Sequence, residues 1–260
     1  VNIVVLVKQV PDSGAGRTLS ETDHTLDREG ADLVLDEINE RAAEEALTLK
    51  ETAGAEVIVV SMGPDSALDA VRKVLAMGAD RGIHICDDRL RGADVVTTAK
   101  VLAAAVRTVE DVDLVLAGNA TTDGQASAVP AVVADLLGLP QLTQVRQLHV
   151  TADRVRAERE TERGEATLDA PLPALVSVTE KINEPRYPSF KGIMAAKKKS
   201  VETVGLDDLF PDADVTGFLV TRTQVLEAVP RAARAAGVRI TDDGSAGRQI
   251  ADYLIAQKLV

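Results

Sequence analysis

Val112-Asp113-Leu114-Val115-Leu116-Ala117-Gly118-Asn119-Ala120-Thr121-Thr122-Asp123-Gly124-Gln125 decides the fold of this chain. A short run rich in Val and Leu, of strand length, stops at a glycine and enters a polar turn, after which a helical segment continues to Leu137. Strand, Gly/Thr loop and helix in that order form the repeating unit of a parallel sheet covered by helices.

The same unit recurs upstream. Asn2 to Val7 is an apolar run ending at Lys8 and the turn cluster Pro11-Asp12-Ser13-Gly14, and it predicts a buried first strand feeding a long loop. Asp36 is placed to N-cap a covering helix on which Ile38, Ala42, Ala46 and Leu49 share a face and Glu37 pairs with Arg41. Strands follow at Glu56–Ser61 and Arg81–Cys86, separated by a helix over Asp65–Met77 closed by Gly78, and a further helix runs from about Asp94 to Val109. Strands alternating with helices imply parallel, right-handed crossovers. Past Thr143 the pattern changes: Gln144–Val150 and Arg154–Glu160 alternate around Thr151-Ala152-Asp153, and Ala166–Asp169 adds a short strand, an antiparallel addition to the sheet. Leu175–Thr179 predicts one more apolar strand. Ser200–Gly217, acidic and poorly periodic, reads as a linker; Phe218–Val229 reads as extended, Pro230 as a break, and about Ser245–Leu259 as a helix with Ile250, Leu254 and Ile255 on one face. The expected division is an α/β domain over 1–199, including the loop 183–196, then a linker and C-terminal arm over 200–260.

Composition bounds the function. The 260 residues are 45% hydrophobic but only 2% aromatic, without Trp, so the core is built of Val, Leu, Ile and Ala, a palette suited to covered parallel sheets. A formal charge of -12 disfavours nucleic acid and anionic membrane surfaces as partners. Cys86 is the single cysteine, which excludes an intrachain disulfide and suits a reducing compartment, with the cytoplasm as the default. No targeting segment and no apolar run of spanning length is visible. His24, His84 and His149 are scattered without partners at ligand spacing, which argues against a metal site, and no nucleophile elbow or P-loop is present.

In an open parallel sheet ligands sit beyond the carboxyl ends of the strands, where helix N-termini present free amides. Gly118–Val129 lies at such a place: Gly118 and Gly124 permit close approach, Thr121, Thr122 and Ser127 offer hydroxyls, and Asn119 and Gln125 offer amides. By itself this is either a phosphate cradle or an ordinary capping turn. A second stretch, Glu180-Lys181-Ile182-Asn183-Glu184-Pro185-Arg186-Tyr187-Pro188-Ser189-Phe190-Lys191-Gly192-Ile193-Met194, precedes Ala195, Ala196 and Lys197–Lys199. Pro185 and Pro188 stiffen it and hold Arg186, Tyr187 and Phe190 outward. Such a loop presents an anchor at low ordering cost; alone, Phe190 could equally pack on its own subunit.

The words Asn183-Glu184-Pro185-Arg186-Tyr187 and Gly192-Ile193-Met194-Ala195-Ala196-Lys197-Lys198-Lys199, in this order and spacing, resemble the β subunit of electron transfer flavoprotein. The resemblance covers most of the chain. It implies AMP held structurally by Gly118, Asn119, Ala120, Thr121, Thr122, Asp123, Gly124, Gln125, Ala126, Ser127, Ala128 and Val129, with Leu6 and Met62 as apolar walls and Asp36, Glu37, Ile38 and Asn39 at the entry to the first helix. Asn39 then resembles the polar base or ribose contact, while Asp36 and Glu37, read from the residues, complement a helix dipole. The resemblance further implies an α subunit that holds the redox-active FAD, takes electrons from acyl-CoA and related dehydrogenases and passes them to a quinone oxidoreductase. Phe190 would be the anchor among the docking residues Arg186, Tyr187, Pro188, Ser189, Phe190, Lys191, Gly192, Ile193 and Met194. Glu160, closing Ala157-Glu158-Arg159-Glu160, matches a carboxylate that pairs with an arginine of the mobile flavin domain. This chain departs from the pattern at Ser13, where some members carry an aromatic near the flavin, and at Ala195, next to the lysines that family members can methylate. The residues offer no carrier of catalytic chemistry, and the resemblance implies the role of an electron-carrier subunit.

Three alternatives belong beside it. A bifurcating member holds a second FAD in place of AMP, and a stand-alone adenine-nucleotide sensor explains the Gly118 loop without the docking segment. An adenylating enzyme on this fold needs a Ser-Gly-Gly motif after the first strand, which Lys8-Gln9-Val10-Pro11 lacks.

Overall fold

The computed structural model describes residues 2–260 except 15, 29, 213–222, 224, 230, 231, 234 and 235. In chain order the strands are β1 (Asn2–Val7), β2 (Gln9–Pro11) and β3 (Leu33–Leu35), then helix α1 (Glu37–Ala53), β4 (Glu56–Met62), α2 (Leu68–Met77), β5 (Arg81–Ile85), α3 (Val95–Arg107), β6 (Val112–Gly118) and α4 (Val129–Leu137). There follow β7 (Gln141–Val150), β8 (Arg154–Thr161), β9 (Gly164–Pro171), β10 (Ala174–Val178), α5 (Phe190–Ala196), β11 (Val201–Val204), α6 (Leu206–Leu209) and, in the tail, α7 (Ala246–Ala256). Nine strands form one sheet in the order β11-β5-β4-β1-β6-β10-β7-β8-β9; β2 and β3 form a separate antiparallel pair. The fold is α/β, as the alternation of elements predicts.

Strand β1 sits at the centre and pairs in parallel with β4 on one side and β6 on the other, Val5 lying opposite Val59 and Leu116. Its side chains alternate between two cores, as a period of two requires. Ile3, Val5 and Val7 join Ala42, Ala46, Val71 and Leu75 beneath α1 and α2. Val4 and Leu6 join Ala99, Leu102, Ala103 and Val133 beneath α3 and α4. A strand covered on both faces reads as continuous Val, Ile and Leu, and Asn2–Val7 shows that pattern. Beyond β10 the sheet turns antiparallel through the β7–β8 and β8–β9 pairs.

Several sequence readings are corrected. Strand β7 begins at Gln141, before the point where alternation becomes visible, because its first residues pair in parallel with β10. Strand β9 runs over Gly164–Pro171 rather than Ala166–Asp169, since pairing with β8 stabilises flanking residues of low strand propensity. The helix expected from Asp65 opens as a 3₁₀ turn over Asp65–Ala67 before α2. The linker expected over Ser200–Gly217 is in its first part structured: β11 extends the sheet beside β5 and α6 follows at once. Two features defeat the eye there, a four-residue strand with two exposed positions and a helix of one turn. Residues 213–217, half of the Phe218–Val229 stretch and Pro230 lie outside the described residues.

The chain divides into two compact units, 1–226 and 227–260. In the second, α7 is amphipathic, with Ile250, Tyr253 and Ile255 exposed and no helix side chain buried within the described residues.

Leu206 is 1% exposed within the core under α3 and α4. Leu206→Ala should therefore lower the free energy of unfolding by roughly 2–5 kcal/mol, measured by urea denaturation. A shift below about 0.5 kcal/mol, the value for a surface position, would restore the linker reading.

Candidate functional site

The strands after β1 leave it in opposite directions: β4 and β5 build one flank of the sheet, β6 and β10 the other. Loops at the carboxyl ends of β1 and β6 therefore diverge, and the crevice between them is where α/β sheets bind ligands. A cavity of about 410 Å³ occupies that crevice. Leu6 and Val7 of β1 and Lys8 just after it line the cavity, with Met62 from β4, Asn39 from α1, Gly118 at the end of β6, Asn119 to Thr121, Gly124, Ala126 and Ser127 from the β6–α4 loop, and Val129 and Pro130 at the start of α4.

Most of the sequence-predicted residues thus meet in one place. Leu6, Asn39, Met62, Gly118, Asn119, Ala120, Thr121, Gly124, Ala126, Ser127 and Val129 all contribute to the wall. Asp36, Glu37, Ile38, Thr122, Asp123, Gln125 and Ala128 do not. Sequence reasoning missed Lys8, Pro130 and the start of α3, where Ala93, Asp94, Val95, Val96, Thr98 and Leu102 close the opposite side. The signal was available: Asp94 is a start signal for the helix after β5, and its loop also leaves the carboxyl edge of the sheet. Asp94 caps α3 by accepting from the Thr97 amide at 2.9 Å. The cavity accordingly faces the N-terminal turns of both α3 and α4, two sources of positive potential and free amides.

The β6–α4 loop is built to approach closely and to hold its shape. A Cβ at Gly118 would fall 2.4 Å from Asn39 Nδ2 and 3.1 Å from the Ala120 carbonyl, so a larger residue there would displace the Asn39 amide. Gln125 and Ser127 adopt φ of 48° and 51°, a strained conformation that surrounding contacts must enforce. The Gln125 amide donates to the Thr121 carbonyl at 3.0 Å, and two acids hold the residues just ahead of it. Asp36 caps α1 and also accepts from the Thr122 amide. Asp123, only 4% exposed, accepts from Lys8 Nζ at 2.7 and 2.9 Å, from Thr121 Oγ1 at 2.7 Å and from the Gly124 amide at 2.6 Å, with Arg28 Nη2 at 3.6 Å. Burial alone would raise its carboxyl, but the Lys8 charge and these hydrogen bonds outweigh burial and hold it below the usual carboxylate range. Both acids therefore shape the loop instead of facing an anionic ligand.

The chemistry of these residues suits a small organic ligand. The walls are mostly apolar with a few polar groups, the pattern of a small-molecule site. The buried Oδ1 of Asn119 has no hydrogen-bond partner among the described residues, which leaves an acceptor for a donor such as an exocyclic amine.

The docking stretch also holds a correction. Arg186 is not held outward: it folds onto α1, donating to both carboxylate oxygens of Glu44 at 2.9–3.1 Å and pairing with Glu51. Glu44 is buried, and a bidentate guanidinium is the partner that makes such burial tolerable. Arg41 likewise turns from Glu37 to the Asn183 carbonyl and Glu184, while Glu37 accepts from Ser13 Oγ at 3.0 Å. Asn183 Nδ2 donates to Glu45 at 3.0 Å; burial is the main cause that pushes the Glu45 carboxyl up.

On this clamped base Ser189 caps the short helix α5. Gly192 lies against the end of α2, where a Cβ would sit 2.3 Å from the Ala76 carbonyl. Arg72 donates to the Ala196 and Lys199 carbonyls, and Lys199 to the Leu75 carbonyl at 3.0 Å, so the third lysine of the run is a structural cap while Lys197 and Lys198 are exposed. Tyr187 is 96% and Phe190 81% exposed, with Ile193 and Met194 half exposed beside them. Ser189 and Lys191 are exposed as well, and Pro188 is half-buried. Glu160 lines a second cavity of about 460 Å³ with Gln144, Arg146 and Lys181. Lys181 Nζ bonds it at 2.8 Å and draws its carboxyl down.

His84 is buried with Nε2 3.2 Å from the Gly63 carbonyl, and no cluster of metal-binding side chains occurs among the described residues. Nor is any described helix long and apolar enough to cross a membrane. Burial and the neighbouring Asp65 raise the Cys86 thiol, which is not the environment of a reactive thiolate.

Comparison with known proteins places these features. Residues 23–209 match the model of the electron transfer flavoprotein domain. The chain is 51% identical over 264 residues to an electron transfer flavoprotein subunit beta of Mycobacterium tuberculosis, covering 100% of this chain and 99% of that one. A subunit of the same description from Megasphaera elsdenii is 31% identical over 271 residues, covering both chains fully. A caffeyl-CoA reductase-Etf complex subunit, CarD, of Acetobacterium woodii is 33% identical over 258 residues, covering 99% of this chain and 97% of that one.

Because its folded-state pKa is depressed, Asp123 contributes stability that is complete above the ordinary carboxylate range near pH 4 and is lost as pH falls through the depressed value. Asp123→Asn should cost roughly 1–3 kcal/mol at pH 7. In denaturation series at several pH values that deficit should shrink below about pH 4; a constant deficit would mean that charge plays no part.

Proposed function

The chain belongs to the electron transfer flavoprotein family, as a β subunit, and from that premise we propose that it holds AMP in the crevice at the carboxyl ends of β1 and β6 and presents Phe190 to partner dehydrogenases. A β subunit of this family works with an α subunit. In the proposed complex FAD is held mainly by that α subunit and supplies the redox chemistry, and this chain contributes binding and orientation alone. It supports the α subunit, which its C-terminal arm wraps, and Glu160 takes up an arginine of the flavin-bearing domain. Acyl-CoA and related dehydrogenases deliver electrons, a quinone oxidoreductase removes them, and the complex works in the cytoplasm without inserting into a membrane.

One observation carries the docking part of this reading. Tyr187, Phe190, Ile193 and Met194 form an exposed apolar surface on a segment whose backbone is otherwise fastened down by Arg41, Glu44 and Arg72. An isolated exposed apolar residue needs no explanation, but an aromatic group raised on a rigid base matches the anchor of an interface. The preformed base lowers the ordering cost of binding. Held by such an anchor, a dehydrogenase stays close while the flavin domain samples productive orientations, which raises the effective concentration of one redox centre near the other. The nucleotide part rests on the apolar walls, the unpartnered Asn119 oxygen and the two helix N-termini around the cavity.

Phe190→Ala tests the anchor directly. Truncating a buried interfacial aromatic costs about 2 kcal/mol or more, so electron flow from an acyl-CoA dehydrogenase at limiting carrier should fall roughly 30-fold while thermal stability stays unchanged. Unaltered flow would remove Phe190 from the interface. Denaturing the co-expressed α–β complex and identifying the released nucleotides tests the other half. One AMP with one FAD is the expected result; two FADs would identify the bifurcating variant, and failure to associate with an α subunit would leave a nucleotide sensor.

A further inference from the structure

We propose that Asp36 is a positioning residue for nucleotide binding, whose buried carboxylate fastens the β6–α4 loop to the first turn of α1 and sets the loop's shape before a ligand arrives. The inference rests on the reading of the crevice as a nucleotide site and goes beyond it by separating the residues that would touch the ligand from the one that holds them in place.

The two carboxylate oxygens have different work. Oδ1 accepts from the Ile38 and Asn39 amides, each at 3.1 Å, and completes the N-cap of α1. Oδ2 accepts from the Thr122 amide at 2.6 Å, a partner 86 residues away in the chain. The side chain is 0% exposed, so no water substitutes for either partner. A helix N-cap needs only one acceptor oxygen, and Ser, Thr or Asn serves as well as Asp. A carboxylate is required only because a second amide must also be satisfied at the same point.

That second amide lies where the loop most needs support. Thr122 stands between Thr121 and Gly124, both in the cavity wall, and just ahead of the positive-φ residues Gln125 and Ser127. On its other side the Thr122 carbonyl accepts from Arg17 Nη1. Asn39, whose own amide Asp36 holds, also lines the cavity and is 3.5 Å from the Ala120 carbonyl through Nδ2. One buried acid therefore fixes the spacing of two facing walls, and preorganisation of this kind lowers the ordering cost of binding.

Asp36→Asn divides the two functions. The amide oxygen keeps the cap on Ile38 and Asn39, whereas the NH₂ group meets the Thr122 N–H donor to donor. Asp36→Ser is a second variant that also keeps a cap oxygen but leaves Thr122 unpartnered without repulsion. Each would be co-expressed with the α subunit, freed of nucleotide and titrated with AMP, with amide hydrogen exchange followed in parallel. In both variants exchange at Ile38 and Asn39 should stay slow and exchange at Thr122 should accelerate, with AMP affinity falling about tenfold or more. Wild-type affinity in a variant, or unchanged exchange at Thr122, overturns the proposal. A wild-type complex that takes up no AMP refutes the nucleotide reading instead, and exchange at Thr122 then decides alone whether Asp36 holds the loop.

Discussion

Strand β1 is buried on both faces and paired on both edges, and the rest of the molecule follows from that constraint. A central strand of this kind has no room for polar side chains, so chemistry is displaced to its carboxyl end. The chain leaves that end, builds β4 and β5 to one side, and returns through β6 on the other. The crevice between the diverging loops is a consequence of topology, and two helix N-termini face it because every crossover helix starts at the same edge of the sheet.

Helix α1 then ties that edge to a second surface. Its first turn holds the β6–α4 loop through Asp36 and Asn39, and its middle and later turns hold the Asn183–Arg186 stretch through Arg41, Glu44, Glu45 and Glu51. One rigid element thus carries the support of both functional regions. The Glu44–Arg186 pair is the costly part of this arrangement, because a buried carboxylate is tolerable only with a bidentate partner in place. That cost is set against the proposed docking segment, whose exposed aromatics stand on fixed backbone in a chain that otherwise has few aromatics to display.

Legibility from sequence varied with how local the determining physics is. Asp36 as an N-cap and the first four strands of the parallel sheet depend on neighbours within one turn or one strand, and they were readable. Arg186 was misread because two flanking prolines say only that the segment is stiff, not which way a long side chain turns; its partner Glu44 lies 142 residues away. Lys8, Asp123 and the Val95–Val96 wall were invisible or ambiguous as site components for the same reason, since each acquires its role from a separate loop. Val201–Val204 escaped because edge strands are short and half exposed, so they lack the apolar run that marks β1.

By itself the sequence determined the α/β class, the order of its elements, the loop that borders the crevice and, through two long motifs, the family. Periodicity and short motifs encode these because helices, strands and turns are selected by residues close together in the chain. Only the tertiary structure decided that Asp36 and Asp123 hold a loop, and that Arg186 points inward while Phe190 points out. Those outcomes turn on burial and on hydrogen bonds between residues 86 to 142 positions apart, and one-dimensional spacing holds no record of either.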